Sequence, residues 1–110
     1  MKKQAYLIGI KGVAMTALAV YLHEKGFQVT GSDVKDVFHT DAILKAKKIQ
    51  VKIGFKPENI DKNYDYVIAT GAHGGATNIE MKTARKKNLN TYMHGQFLGL
   101  CMHKKKSISI

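Results

Sequence analysis

"YLIGIKGVAMTALAVYL", residues 6–22, decides the fold. It opens as an apolar run, passes Gly9 and Gly12, and continues with helical spacing. A continuous apolar run such as Ala5 to Ile10 suits a strand covered on both faces, the kind found in parallel sheets. Ala14, Leu18 and Leu22, with Ala17 and Tyr21, then mark one face of a helix. Gly26 is a natural stop for it, with His23 and Lys25 in the last turn. Strand, glycine turn, helix is how a doubly wound α/β domain begins. The start of such a helix offers unpaired backbone N–H groups to an anion.

The rest of the chain repeats the alternation. Phe27 to Gly31 reads as a second strand ending at Ser32-Asp33, and Thr40 to Lys48 as a helix with Ile43 and Leu44 inward. Val51 to Ile53 is a short third strand, and Pro57 to Asn63 a polar loop or single turn. Tyr66 to Ala69 is a fourth strand, followed by a loop from Thr70 to Gly75. Asn78 caps a helix ending near Asn88, with Glu80 early and Arg85 to Lys87 late, as the helix dipole favours. Thr91 to Met93 is a short strand, Gly95 to His103 a last helix, and Ser107 to Ile110 alternates like a strand. This order predicts a Rossmann-like, doubly wound α/β fold: a mostly parallel sheet of about five strands with helices on both faces.

Composition narrows the classes. At 110 residues, 45% hydrophobic and 24% charged, the chain fits one soluble domain. Its single cysteine, Cys101, excludes an internal disulfide, and its apolar neighbours point to a buried thiol in a reducing cytoplasm. No signal peptide or membrane-spanning stretch is visible, so no membrane partner is expected. The net charge of +10 raises nucleic acid as a partner. However, the basic clusters at Lys45 to Lys48 and Arg85 to Lys87 fall at helix ends, without interleaved aromatic platforms, so solvated helix ends are favoured and no nucleic acid is expected.

In a doubly wound sheet, ligands bind beyond the carboxyl ends of the strands, where strand order reverses. Three stretches should meet there: Gly9 to Thr16, Ser32-Asp33, and Thr70 to Gly75. Asp33 stands 24 residues after Gly9, about the spacing at which a carboxylate meets a ribose hydroxyl. Thr70 and His73 occupy the third loop, so a phosphorylated nucleoside is the default ligand. Lys11 and Ala14 replace the second and third glycines of the G-x-G-x-x-G fingerprint, which weakens an NAD-type cofactor. His23, His39, His94 and His103 show no paired metal spacing, and helix-end or surface roles are favoured for them. Met15 and Asp33 also have plain structural roles open to them: packing the helix on the sheet, and capping a strand end. Other readings of these loops stay open. One is an NAD- or nucleotide-binding module of a dehydrogenase or regulator, and another a scaffold that kept the fold without a ligand.

"YLIGIKGVAMTALAVYLHEKGFQVTGSD" resembles the amino-terminal domain of the Mur ligases, whose usual opening is I-G-I-G-G-x-G-M-S, a helix, then V-x-G-S-D. A G-I-K-G form with lysine occurs in that family, and Ala14 is a departure from it. The likeness continues through "FHTDAILKAKKIQVKIGF" and "DYVIATGAHGGATNIEMKTARKKNL". There Thr70-Gly71-Ala72 stands for the family's S-x-A, and Asn78-Ile79-Glu80 for its N-P-E. Phe55 takes the place of a histidine that many members carry.

The resemblance implies a UDP-sugar-binding domain over residues 1–106, with 107–110 starting a strand that leads into an ATP-binding central domain. It implies an enzyme that phosphorylates the carboxylate of UDP-N-acetylmuramate from ATP, with Mg, so that an amine such as that of L-alanine can attack. ATP and the amino acid would bind in other domains, leaving this portion without catalytic residues, metal or ligase activity of its own. The site residues so implied are Gly9, Lys11, Gly12, Val13, Ala14 and Met15 around the diphosphate, with Thr16 in support. Asp33 would serve ribose or uracil, while Thr40, Thr70, Ala72 and His73 line the remainder.

Overall fold

The computed structural model describes residues 2–108, and side chains as far as Cys101. Five strands form one sheet: β1 (Gln4–Ile8), β2 (Gln28–Asp33), β3 (Gln50–Ile53), β4 (Tyr66–Ala69) and β5 (Thr91–Met93). Their order is β3-β2-β1-β4-β5 and every pairing is parallel. The order reverses between β1 and β4, which puts the switch point at the loops following those two strands.

Four helices complete the alternation: α1 (Val13–Glu24), α2 (Thr40–Ala46), α3 (Ile79–Lys86) and α4 (His94–Ile108). Alternate residues of β1 feed two cores. Ala5 and Leu7 join Met15, Leu18 and Leu22 of α1, Leu44 of α2 and Phe97 of α4. Tyr6 and Ile8 join Met81 and Ala84 of α3, with Ile60 and Tyr64 from the segment before β4. The sheet is therefore covered on both faces, which is why Ala5 to Ile8 of β1 and all of β4 form apolar runs.

Several local expectations need correction. Ala14, Ala17 and Tyr21 do not face the sheet; Met15, Thr16, Leu18, Ala19 and Leu22 do. The helix is apolar nearly all round, so periodicity alone could not choose the buried face. Ile43 is 47% exposed, and Leu44 alone of that pair is buried. α2 starts at Thr40 as expected, with His39 at its cap position, but ends at Ala46. α4 continues through Ser107 and Ile108, where a strand was expected; Ser109 and Ile110 lie outside the described residues. Helical hydrogen bonds close within the segment, whereas a strand there would need a neighbour to pair with.

Candidate functional site

The loop between β1 and α1 is built by backbone geometry first. Gly9 turns the chain with a φ of +80°, and the N–H groups of Gly9 and Ile10 both donate to the Ser32 carbonyl, at 2.8 and 3.1 Å. Gly12 caps α1, whose first turn holds no acidic residue. The N–H groups of Val13, Ala14 and Met15 thus begin a helix without an intrahelical partner.

Lys11 is fixed at every polar atom it has. Its N–H donates to Asp33 Oδ2 at 2.8 Å, and its carbonyl accepts from Thr40 Oγ1 at 2.5 Å. Its ammonium donates to the Asp36 carbonyl at 2.7 Å and lies 3.4 Å from Asp41 Oδ1. The Phe38 ring sits 5.7 Å from that ammonium. The side chain is only 6% exposed. Its charge is therefore directed into the segment between β2 and α2. Its amide is already used inside the protein, so of the expected diphosphate donors Val13 to Met15 are the open ones.

Asp33, also buried, is the partner that makes this possible. Its Oδ1 accepts from the Val34 N–H at 2.7 Å and lies 3.5 Å from His73 Nε2. The carboxylate clamps the loop, and its remaining edge reaches the site. Thr16 works from beneath, donating from Oγ1 to the Ile10 carbonyl at 2.7 Å while almost fully buried. His73 has a left-handed φ of 55° and its ring packs against Phe55, with centroids 5.1 Å apart.

Two hollows open on either side of this loop. The first, of about 590 Å³, is bordered by Gly9, Lys11, Gly12, Val13, Asp33, Thr40, Thr70, Ala72 and His73. The second, of about 490 Å³, lies beyond Gly12 and Val13 and adds Ala14, Met15, Gly71, Met93, His94 and Gly95. Gly12, Val13 and Thr70 border both. Of the twelve expected site residues only Thr16 touches neither hollow.

The sequence reading missed Val37, Phe38 and His39, which wall the first hollow, and Met93, His94 and Gly95, which wall the second. Residues 34–39 carry no periodicity, so nothing marked them. His94 had a findable signal: like Thr70, it directly follows a strand of the sheet. Glu80 was also missed as a site support. It is fully buried and accepts from Ser32 Oγ at 2.5 Å, Asn59 Nδ2 at 2.6 Å and the Lys56 N–H at 3.0 Å. It ties the end of β2, the segment following Phe55, and α3 together. Beside it, burial pushes the Tyr6 phenol well above its ordinary value, the nearby Glu80 charge adding to the effect. Burial likewise raises the Tyr64 phenol, helped by its hydrogen bond to Asp61.

Among the described residues no group of three or more His, Cys, Asp or Glu converges as a metal site. No helix there is long and apolar enough to cross a membrane.

A family model described as "Mur ligase family, catalytic domain" matches residues 4–106. The UDP-N-acetylmuramate–L-alanine ligase of Desulfitobacterium hafniense (strain Y51) is 40% identical over 111 residues, covering all of this chain and 24% of the relative. That of Lachnoclostridium phytofermentans is 40% identical over 97 residues, covering 88% of this chain and 20% of the relative. The chain thus spans about a quarter of the length of the curated relatives it matches. Among solved structures, the UDP-N-acetylmuramate–alanine ligase of Thermotoga maritima superposes with a TM-score of 0.81 at 23% identity, over 94% of this chain and 23% of that one. A UDP-N-acetylmuramate:L-alanyl-γ-D-glutamyl-meso-diaminopimelate ligase from Neisseria meningitides gives 0.77 at 27%, over 89% and 30%.

Proposed function

The chain belongs to the Mur ligase family, and from that premise we propose that it is the part of an ATP-dependent ligase that grips UDP-N-acetylmuramate during cell-wall precursor synthesis. The observation that carries the reading is the pair of adjoining hollows, both bordered by Gly12, Val13 and Thr70, that flank an amide-bearing loop. An elongated nucleoside-diphosphate sugar needs a place for its base and ribose, a bridge of N–H donors for its diphosphate, and a place for its sugar. The first hollow has the apolar Val37 and Phe38 walls for a base and the Asp33 edge for ribose or uracil donors. Thr40, Thr70, Ala72 and His73 border the same space. The diphosphate lies over the open N–H groups of Val13 to Met15, where backbone donors and the helix dipole favour negative charge. The sugar then extends over Met93 to Gly95.

Nothing in this arrangement carries out ligation by itself. ATP supplies phosphoryl chemistry to the carboxylate when bound with Mg. We assign ATP, Mg and the incoming amino acid to the three quarters of the relatives' length that this chain does not span. What the chain's own residues do is bind and orient. We assign the binding unit to residues 1–106. The cytoplasm, where nucleotide-activated precursors and ATP are made, is the proposed location.

The test is calorimetric titration of the chain with UDP-N-acetylmuramate, UDP and NADH, with amide shifts followed by NMR. Saturable binding of the UDP compounds, with shifts at Val13 to Met15, Asp33 and Thr70 to His73, is the expected result. Preference for NADH, or saturation with no response in those loops, would overturn the reading.

A further inference from the structure

We propose that the amino edge of the sheet, opposite the hollows, is a docking surface for an anionic phospholipid bilayer. The inference goes beyond the ligand reading and does not depend on it. Topology gathers the charge. α1, α2 and α3 each join two parallel strands, so they run against the sheet and end where strands begin. All three end alike. Their cap positions are Lys25, Lys47 and Lys87, each followed by a left-handed residue and then an apolar one. The N–H of that apolar residue returns to the helix at 3.0 Å in every case, from Phe27, Ile49 and Leu89. α1 and α2 cover one face of the sheet and α3 the other. Lys2 and Lys3, both exposed and leading into the central β1, fall between them.

Helix dipoles account for lysines at the caps, but not for Lys2 and Lys3, which precede a strand. Lys48 is a second exception. The left-handed positions after α1 and α3 hold Gly26 and Asn88, which tolerate such a φ, whereas the one after α2 holds Lys48 at +58°. A charge stands there although the backbone disfavours a side chain. The ammonium groups of Lys2, Lys3 and Lys48 make no ion pair among the described residues. Two acids of this edge are already engaged: Glu24 lies 3.5 Å from Lys47 Nζ, and Asp65 accepts from the Gln4 N–H at 2.7 Å.

The chemistry of the edge selects among polyanions. Arg85 is the chain's one arginine, and its guanidinium turns back to the Ala76 carbonyl at 2.6 Å, away from a nucleic-acid phosphate. Phe27 and Tyr66, the rings at the starts of β2 and β4, pack against each other, and Tyr66 also against Tyr92 and Phe97. They offer no platform to a base. Strongly hydrated lysine charges suit a fluid layer of phosphate headgroups, and a chain held that way needs no membrane span. Docked by this edge, the chain keeps its hollows facing away from the bilayer.

The test is co-sedimentation of the 110-residue chain with vesicles, either phosphatidylcholine alone or with about a third phosphatidylglycerol, in about 0.1 M NaCl. A poly-dT oligonucleotide at equal phosphate concentration is titrated beside them. Binding to the anionic vesicles alone is expected, and it should disappear near 0.5 M NaCl. Lys2→Glu with Lys3→Glu should weaken it more than tenfold, at about fivefold per lysine near such a surface. Lys48→Gly should weaken it about fivefold while the melting temperature holds or rises, because glycine suits the left-handed position. Lys35→Glu with Lys56→Glu, the same charge change beyond the carboxyl ends of β2 and β3, should leave it within twofold. Absence of binding to the anionic vesicles, or equal binding to phosphatidylcholine alone, overturns the proposal. Equal losses from the two glutamate pairs overturn it in favour of net charge. Tighter binding of the oligonucleotide than of the anionic vesicles overturns it in favour of nucleic acid.

Discussion

Gly9 and Gly31 show what the tight end of β1 demands of single residues. A Cβ on Gly9 would stand 2.3 Å from Thr70 Cγ2, at a φ of +80°. One on Gly31 would stand 2.6 Å from the Leu7 carbonyl oxygen, a backbone atom that cannot swing aside. Gly9→Ala should destabilise the chain by about 2 kcal/mol or more, from left-handed strain plus the contact, read as a fall in urea midpoint at constant slope. Lys11 makes a different point. Its ammonium is held by Asp36 and Asp41, so Lys11→Met should lower stability by about 1 kcal/mol yet change UDP affinity less than twofold. A tenfold loss of affinity by calorimetry would mean the ammonium reaches phosphate instead. The sequence showed that a lysine replaced a glycine. It could not show that the lysine points away, because its partners lie 25 and 30 residues further along.

At the scale of elements, caps and charged ends behave as the sequence led one to expect. Asn78 accepts the Glu80 N–H at 2.8 Å, and Arg85 and Lys86 occupy the last turn of α3. Asn78→Ala should cost about 1 kcal/mol in denaturant unfolding. The segment leading into β4 carries a pH-dependent tie. Burial alone would raise the Asp61 carboxyl, but the Tyr64 hydroxyl at 3.0 Å and Lys52 at 3.4 Å outweigh it and hold it below its ordinary value. A lowered carboxyl adds stability above its unfolded value and loses it as pH falls through the folded one. Asp61→Asn should therefore lower the melting temperature slightly at pH 7, with the gap from the parent closing as pH falls below the ordinary carboxylate range. An equal gap at neutral and acid pH would argue for a packing effect. α1 is where the element scale misled: with alanines and large apolar residues on adjoining faces, its spacing fitted two orientations, and only contact with the sheet and α2 chose between them.

For the molecule as a whole, the strand order concentrates function at one end. The loops after β1, β2, β4 and β5 all reach the same edge of the sheet. Helix carboxyl ends and strand beginnings, with Lys25, Lys45 to Lys48 and Arg85 to Lys87, lie at the other. These basic clusters are thus remote from the hollows, and ligand binding should owe more to backbone N–H groups than to net charge. Raising NaCl from 0.05 to 0.5 M should weaken UDP binding only a few-fold. A hundredfold loss would point to surface lysines. A ligand present at about a hundred times its dissociation constant should add about 2.7 kcal/mol of stability, visible as a rise in melting temperature of roughly ten degrees. By itself the sequence determined the alternation of strands and helices, the parallel sheet, and the three loops that carry the site, because apolar periodicity and glycine turns act over a few residues. Only the tertiary structure decided which amides remain open, where the Lys11 charge goes, that Glu80 ties β2 to α3, and that Thr70 and His94 stand side by side. Each of those depends on a partner brought from far along the chain by strand register, which no local pattern encodes.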